Sequence, residues 1–119
     1  MDRMEIFDFD AAMEMVDNDT ALMQILLDGF LKEAPFEEHH LFDLIAKNEN
    51  EEAAHYVHRV KGAARQLAAK PLAAKGQELE DIFRGKTTGD ASKVATEFCE
   101  LYKQTYEVLE EEANKLQKL

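Results

Sequence analysis

The chain is 119 residues long, the size of one domain, and 45% of it is hydrophobic, which supplies a core and excludes a disordered tail. Asp and Glu number 25 against 14 Lys and Arg, a net charge of −11. That balance argues against sequence-independent binding to nucleic acid or anionic lipid, since both need a basic surface. The single Cys99 cannot form an internal disulfide, the first residues lack a cationic start and a long apolar run, and nowhere do about 18 apolar residues follow one another. A cytoplasmic protein with no membrane span is the expectation.

Only 5 Gly and 2 Pro punctuate the chain, so helices are favoured over a turn-rich β fold. A short helix is predicted over about 9–16, after Asp8, and Asp17-Asn18-Asp19 then suits a helix stop and a new N-cap. Leu22, Ile25, Leu26, Gly29 and Phe30 recur at helical spacing, and Leu41, Leu44 and Ile45 resume it beyond Pro35. Because no polar turn residues surround Pro35, one long helix kinked at the proline is preferred to a second helix beginning there. Lys47-Asn48-Glu49-Asn50 breaks the pattern, after which Ala53, Val57, Val60, Ala64 and Leu67 form a continuous apolar seam. Ala69-Lys70-Pro71 ends that helix, and Leu72, Gly76, Leu79 and Phe83 build the next. Gly85 to Gly89 reads as a loop, and Asp90 caps a last helix carrying Val94, Phe98, Leu101, Thr105, Val108 and Leu116. The expected architecture is all-α: one domain over 1–119, an antiparallel four-helix bundle over about 19–118 with a short extra N-terminal helix.

The third main helix carries the chemistry. With its seam turned inward, His58 points outward, with Ala54, His55, Lys61 and Gly62 one turn away and Arg65 two turns on. A glycine in mid-helix costs about 1 kcal/mol against alanine, and on an outward face its remaining use is to let something approach closely. Most lone histidines on helices are solvated surface residues, so it is the conjunction with Lys61 and Gly62 that points to function. An imidazole in water titrates near 6.5, so a neutral ring with a lone pair is well populated at pH 7. Such a nucleophile beside an ammonium suits transfer of a phosphoryl group, whose negative charge Lys61 would offset. Across the antiparallel turn, Glu80 lies level with His58; a hydrogen bond to it would fix the ring tautomer, with Gln77 in reserve.

The segment from Ala54 through His58-Arg59-Val60-Lys61-Gly62 to Leu67 resembles the signature of the histidine-containing phosphotransfer (HPt) domain family, His-x-apolar-Lys-Gly followed by small residues. Leu72, Leu79-Glu80 and the upstream Phe30 to Pro35 are similar to that family as well, so the likeness covers nearly the whole chain. The resemblance implies a four-helix bundle that accepts a phosphoryl group on His58 from a receiver-domain aspartate or hybrid histidine kinase and passes it to a response regulator receiver. It implies a phosphocarrier, not an enzyme with its own kinase motif. Lys61 would stabilise the phosphoryl charge, Gly62 admit the receiver, and Glu80 orient the ring. Ala54, Val57, Arg59, Ala63 and Arg65 would contribute to the docking surface. No intrinsic cofactor or metal is expected, because the receiver would bring Mg²⁺. One position departs from the family, which usually has Gly ten residues after the histidine; here it is Ala68.

Competing signals are weaker. A helical adaptor that docks a receiver without accepting phosphate is the main alternative. Glu37-x-x-His40 and Glu52-x-x-His55 match the repeat of metal-binding helical bundles, but His55 shares the outer side of its helix with His58, whereas such ligands project inward. His39 and His40 read as solvated. Gly85-Lys86-Thr87 mimics the end of a phosphate-binding loop without its first glycine or a preceding strand. Phe30, Phe42, Phe83, Phe98 and Tyr102 lie on or near apolar stripes, and Glu110-Glu111-Glu112 reads as a solvated face.

Overall fold

A computed structural model describes residues 1–33 and 35–118, the side chain of Glu33 excepted. Seven helical segments follow one another, and no strand occurs among the described residues: α1 (Arg3–Ile6), α2 (Phe9–Met15), α3 (Thr20–Glu33), α4 (Glu38–Ala46), α5 (Asn50–Gln66), α6 (Lys70–Phe83) and α7 (Ala91–Gln117). The molecule is elongated, 46 × 21 × 21 Å, as a bundle laid along the 27-residue α7 must be. α5 packs most extensively on α6, and α6 on α7. α3 and α4 both pack against α5 and α7, so together they fill the fourth position of the bundle.

Local chemistry sets the boundaries. Asp8 and Asp90 cap α2 and α7 by accepting from the N–H groups of Ala11 and Lys93, and Asp19 accepts from that of Leu22. Asp17 and Asn18 after α2, and Asn48 after α4, take the left-handed conformation, which Asn and Asp tolerate best among residues with a Cβ. Ala68 takes it too, at φ +55°, while the N–H of Ala69 closes the end of α5 on the carbonyl of Ala64 at 2.9 Å.

The kinked helix expected at Pro35 is not formed. α3 ends at Glu33, and Pro35–Glu37 are non-helical, with Ala34 outside the described residues. Proline lacks the N–H and clashes with the preceding turn, and here the released backbone finds better partners elsewhere. Phe36 turns inward and packs on the rings of Tyr56, Phe98 and Tyr102, with centroids 5.3, 5.5 and 4.8 Å away. The N–H of Glu37 donates to Tyr56 Oη at 2.8 Å, and Arg59 Nη2 donates to the Pro35 carbonyl at 3.1 Å. The buried face of α3 is also rotated from the expected one. Met23, Leu27 and Phe30 are buried, whereas Leu22 and Ile25 are 40% and 66% exposed.

The inward seam of α5 is as the spacing predicts: Ala53, Val57, Val60, Ala64 and Leu67 are all buried, against Leu72, Leu79 and Phe83 of α6 and Val94, Phe98 and Leu109 of α7 within the same core. α1 lies outside the elements that periodicity predicts. Four residues give no periodicity to read, and it is held by burial of Ile6 and by Arg3, which pairs with Glu111 and Glu112 of α7. That pairing corrects the expectation of a wholly solvated acidic run, since the Glu112 side chain is only 13% exposed.

Candidate functional site

The α5–α6 pair forms the site. The two helices run antiparallel, so His58 meets Glu80 while Lys61, one turn later, meets Gln77, one turn earlier. Gly76 lets α6 approach here: a Cβ added to it would lie 3.2 Å from Lys61 Cβ and 3.3 Å from Phe98 Cε1. The His58 side chain is 56% exposed, and its Nδ1 lies 3.1 and 3.3 Å from the two oxygens of Glu80. Its Nε2 has no partner among the described residues.

Glu80 is the centre of a small buried network. Its side chain is 7% exposed; Oε1 accepts from Lys61 Nζ at 2.7 Å and Oε2 from Arg84 Nε at 2.9 Å. Burial alone would raise this carboxyl, but the hydrogen bonds from Lys61, Arg84 and His58 outweigh it and hold the group at about 2. Glu80 is therefore ionised at neutral pH and can only accept. Nδ1 must then carry the hydrogen-bonding proton, which leaves the lone pair of the neutral ring on the outward Nε2. Gln77 extends the network: its Oε1 accepts from Lys61 Nζ and Arg65 Nη2, both at 3.0 Å, and its Nε2 donates to Asp81 at 2.8 Å.

Other expected site residues sit differently. Lys61, expected on the outer face beside His58, is buried, its side chain 5% exposed, and its ammonium is engaged by Glu80 and Gln77. It stands four residues after Val57, at the edge of the seam, where the approach of α6 covers it. Ala54 and Val57 are fully buried and cannot line a docking surface, because each faces the core one turn apart on the seam side. Arg59 and Arg65 are exposed, and Gly62 and Ala63 are partly so. Gly62 has open space where a Cβ would stand, with nothing within 4 Å. Among the described residues, no packing contact requires glycine there. Arg84 joins the site as well; its spacing of four from Glu80 on a predicted helix is the sequence signal for it.

Among the described residues, the remaining reactive groups form no second centre. Cys99 is buried, and burial pushes its thiol up to about 12, so it stays protonated. His40 packs edge-on against Tyr56, and His39 is exposed. Among the described residues, no three His, Cys, Asp or Glu side chains converge as a metal site would need, the two Glu-x-x-His pairs included.

A family model described as "Hpt domain" matches residues 23–118. The chain belongs to the Hpt domain family. Hpt domains are helical bundles that carry phosphoryl groups in phosphorelay signalling; they are phosphocarrier modules, not kinases, and they interact with receiver and kinase domains. The matched span takes in α4 to α7 whole and all but the start of α3, and leaves α1 and α2 outside. Searches of curated proteins and of solved structures return no match to the chain. Among the described residues, no helix of this Hpt domain is long and apolar enough to cross a membrane.

Proposed function

We propose that this Hpt domain accepts a phosphoryl group on Nε2 of His58 from an aspartyl phosphate of a receiver domain, or from a hybrid histidine kinase, and returns it to a response regulator receiver. The observation that carries the reading is an exposed imidazole whose Nδ1 faces a buried carboxylate held at about 2. In the forward step the Nε2 lone pair attacks phosphorus, the N–P bond forms, and the P–O bond to the receiver aspartate breaks, its electrons leaving with the carboxylate. Because Nδ1 keeps its proton, the ring becomes positively charged as the N–P bond forms. Glu80 lies where that charge develops and stabilises it without reorganising. The return step reverses each movement.

The cations have a different part from a bare ammonium beside the phosphoryl group. Glu80 is compensated by both Lys61 and Arg84, so the cluster beneath the ring carries a net positive charge that favours an incoming anion. Lys61 contributes to the phosphoryl charge balance from within this cluster. Arg59 and Arg65 add exposed positive charge on the same helix of an otherwise acidic protein, a local match for the acidic centre of a receiver. The Mg²⁺ of the transfer would belong to the receiver. Gly62 leaves the approach open, and Ala63 flanks it.

The test is incubation with a receiver carrying labelled phosphate. Wild type takes an acid-labile label and His58→Gln takes none; a label that persists in H58Q overturns the assignment. Receiver binding by wild type without any phosphohistidine would instead establish a docking adaptor.

A further inference from the structure

Two cations grip Glu80, and only one of them lies on the helix of the histidine. Arg84 stands at the C-terminal end of α6, one turn beyond Glu80, and its Nε donates to Oε2 at 2.9 Å while Lys61 Nζ donates to Oε1 at 2.7 Å. The terminal torsion of a glutamate is broad, so a carboxylate anchored through one oxygen still swings. Anchored through both, it presents a fixed edge, and Nδ1 of His58 sits almost evenly between the oxygens at 3.1 and 3.3 Å. The side chain of Arg84 is 31% exposed, so only the Glu80 end of the pair is buried. Its geometry is nonetheless specific, because its partner is the carboxylate that touches the ring.

We propose that Arg84 is a positioning residue for the phosphotransfer reaction: by holding Oε2 of Glu80 it keeps the carboxylate turned to Nδ1 of His58 and so keeps the lone pair on Nε2. The proposal rests on His58 being the nucleophile. A ring released from a fixed acceptor distributes its proton between both nitrogens, and the form with the proton on Nε2 cannot attack.

The experiment compares wild type, Arg84→Met and Arg84→Lys, the last keeping a charge and a donor in reach of Glu80. The ¹⁵N chemical shifts of the His58 ring nitrogens, recorded unphosphorylated at a pH where the ring is neutral, report the tautomer. The initial rate of label uptake from a phosphorylated receiver reports the reaction. In wild type, Nδ1 shows the protonated shift and Nε2 the lone-pair shift. In R84M the two shifts move toward each other and uptake falls roughly three- to fivefold, in proportion to the competent fraction. R84K restores most of both; R84M melts lower than wild type, because Oε2 of a buried carboxylate loses its donor, and both readouts are taken well below its melting temperature.

Wild-type shifts in R84M overturn the proposal, and so does a mixed tautomer with an undiminished rate. A reduced rate with the tautomer unchanged also overturns it, because Arg84 would then act through docking. Failure of wild type to take any label refutes the reading of His58 itself; the tautomer comparison needs no phosphoryl group and still decides whether Arg84 orders the ring.

Discussion

Glu80, whose side chain is 7% exposed, accepts from His58, Lys61 and Arg84, so its protonation disturbs all three contacts. Its carboxyl titrates near 4.5 when unperturbed and at about 2 in the folded protein. A depressed carboxyl contributes stability that is fully present above pH 4.5 and is lost as the pH falls through 2. The amount is on the order of 3 kcal/mol. Glu80→Gln leaves the Lys61 ammonium buried without its counter-charge, so urea unfolding at pH 7 should show a loss of about 3 kcal/mol. The gap between wild type and E80Q should narrow steadily below pH 4.5; a gap independent of pH would rule out this account of Glu80. Ala68 is a second residue with a clear sign. Its φ of +55° costs an L-residue about 1–2 kcal/mol, and glycine removes that strain while giving back about 0.5–1 kcal/mol in chain entropy. Ala68→Gly should therefore stabilise by about 0.5–1 kcal/mol, a rise of a few degrees in melting temperature.

Two glycines on facing helices make opposite predictions, because their surroundings differ. At Gly62 a Cβ meets nothing, so Gly62→Ala gains helix propensity worth about 1 kcal/mol and raises the melting temperature, while uptake of phosphoryl from a receiver falls. At Gly76 a Cβ meets Lys61 and Phe98 at 3.2 and 3.3 Å, so Gly76→Ala obliges both to give by a few tenths of an ångström; overpacking of about 1–3 kcal/mol outweighs the propensity gain of about 1 kcal/mol, for a net loss of up to about 2 kcal/mol. Equal effects of the two substitutions on stability would contradict this reading of the crossing. The elements themselves were largely legible. The α5 seam and the level pairing of His58 with Glu80 follow from spacing, and the cap at Asp90 from its place after the loop. Sequence failed where a tertiary partner decides. Pro35 ends a helix rather than kinking it because Phe36 finds three aromatic rings, none of them near in sequence. In α3, apolar residues lie on more than one side, so Met23 and Leu27 were not separable from Leu22 and Ile25 by period. Spacing places Lys61 on the outer face beside His58, because a lysine at the seam's edge is buried only when a neighbouring helix brings it an acid.

At the scale of the molecule, the N-terminal segment closes one end of the bundle. Phe7 and Ile6 are buried, α1 packs on α6 and α7, and Arg3 ties it to Glu111 and Glu112 near the end of α7. Met4 and Met15 border a shallow cavity with Ala68 and Lys70, which places the segment over the α5–α6 turn. His58 stands ten residues from Ala68 along α5, about 15 Å at the helical rise, and neither α1 nor α2 supplies any residue to the network around it. The two regions should therefore separate by mutation. Phe7→Ala removes a ring that is 3% exposed and leaves a void, at a cost of about 3 kcal/mol. Under conditions where the variant remains folded, its rate of phosphoryl uptake on His58 should equal that of wild type. Urea titration gives the first quantity and a time course with labelled receiver the second. A slower rate in folded F7A would mean that the end of the bundle is coupled to α5, and that the N-terminal segment belongs to the phosphotransfer apparatus as well as to the scaffold.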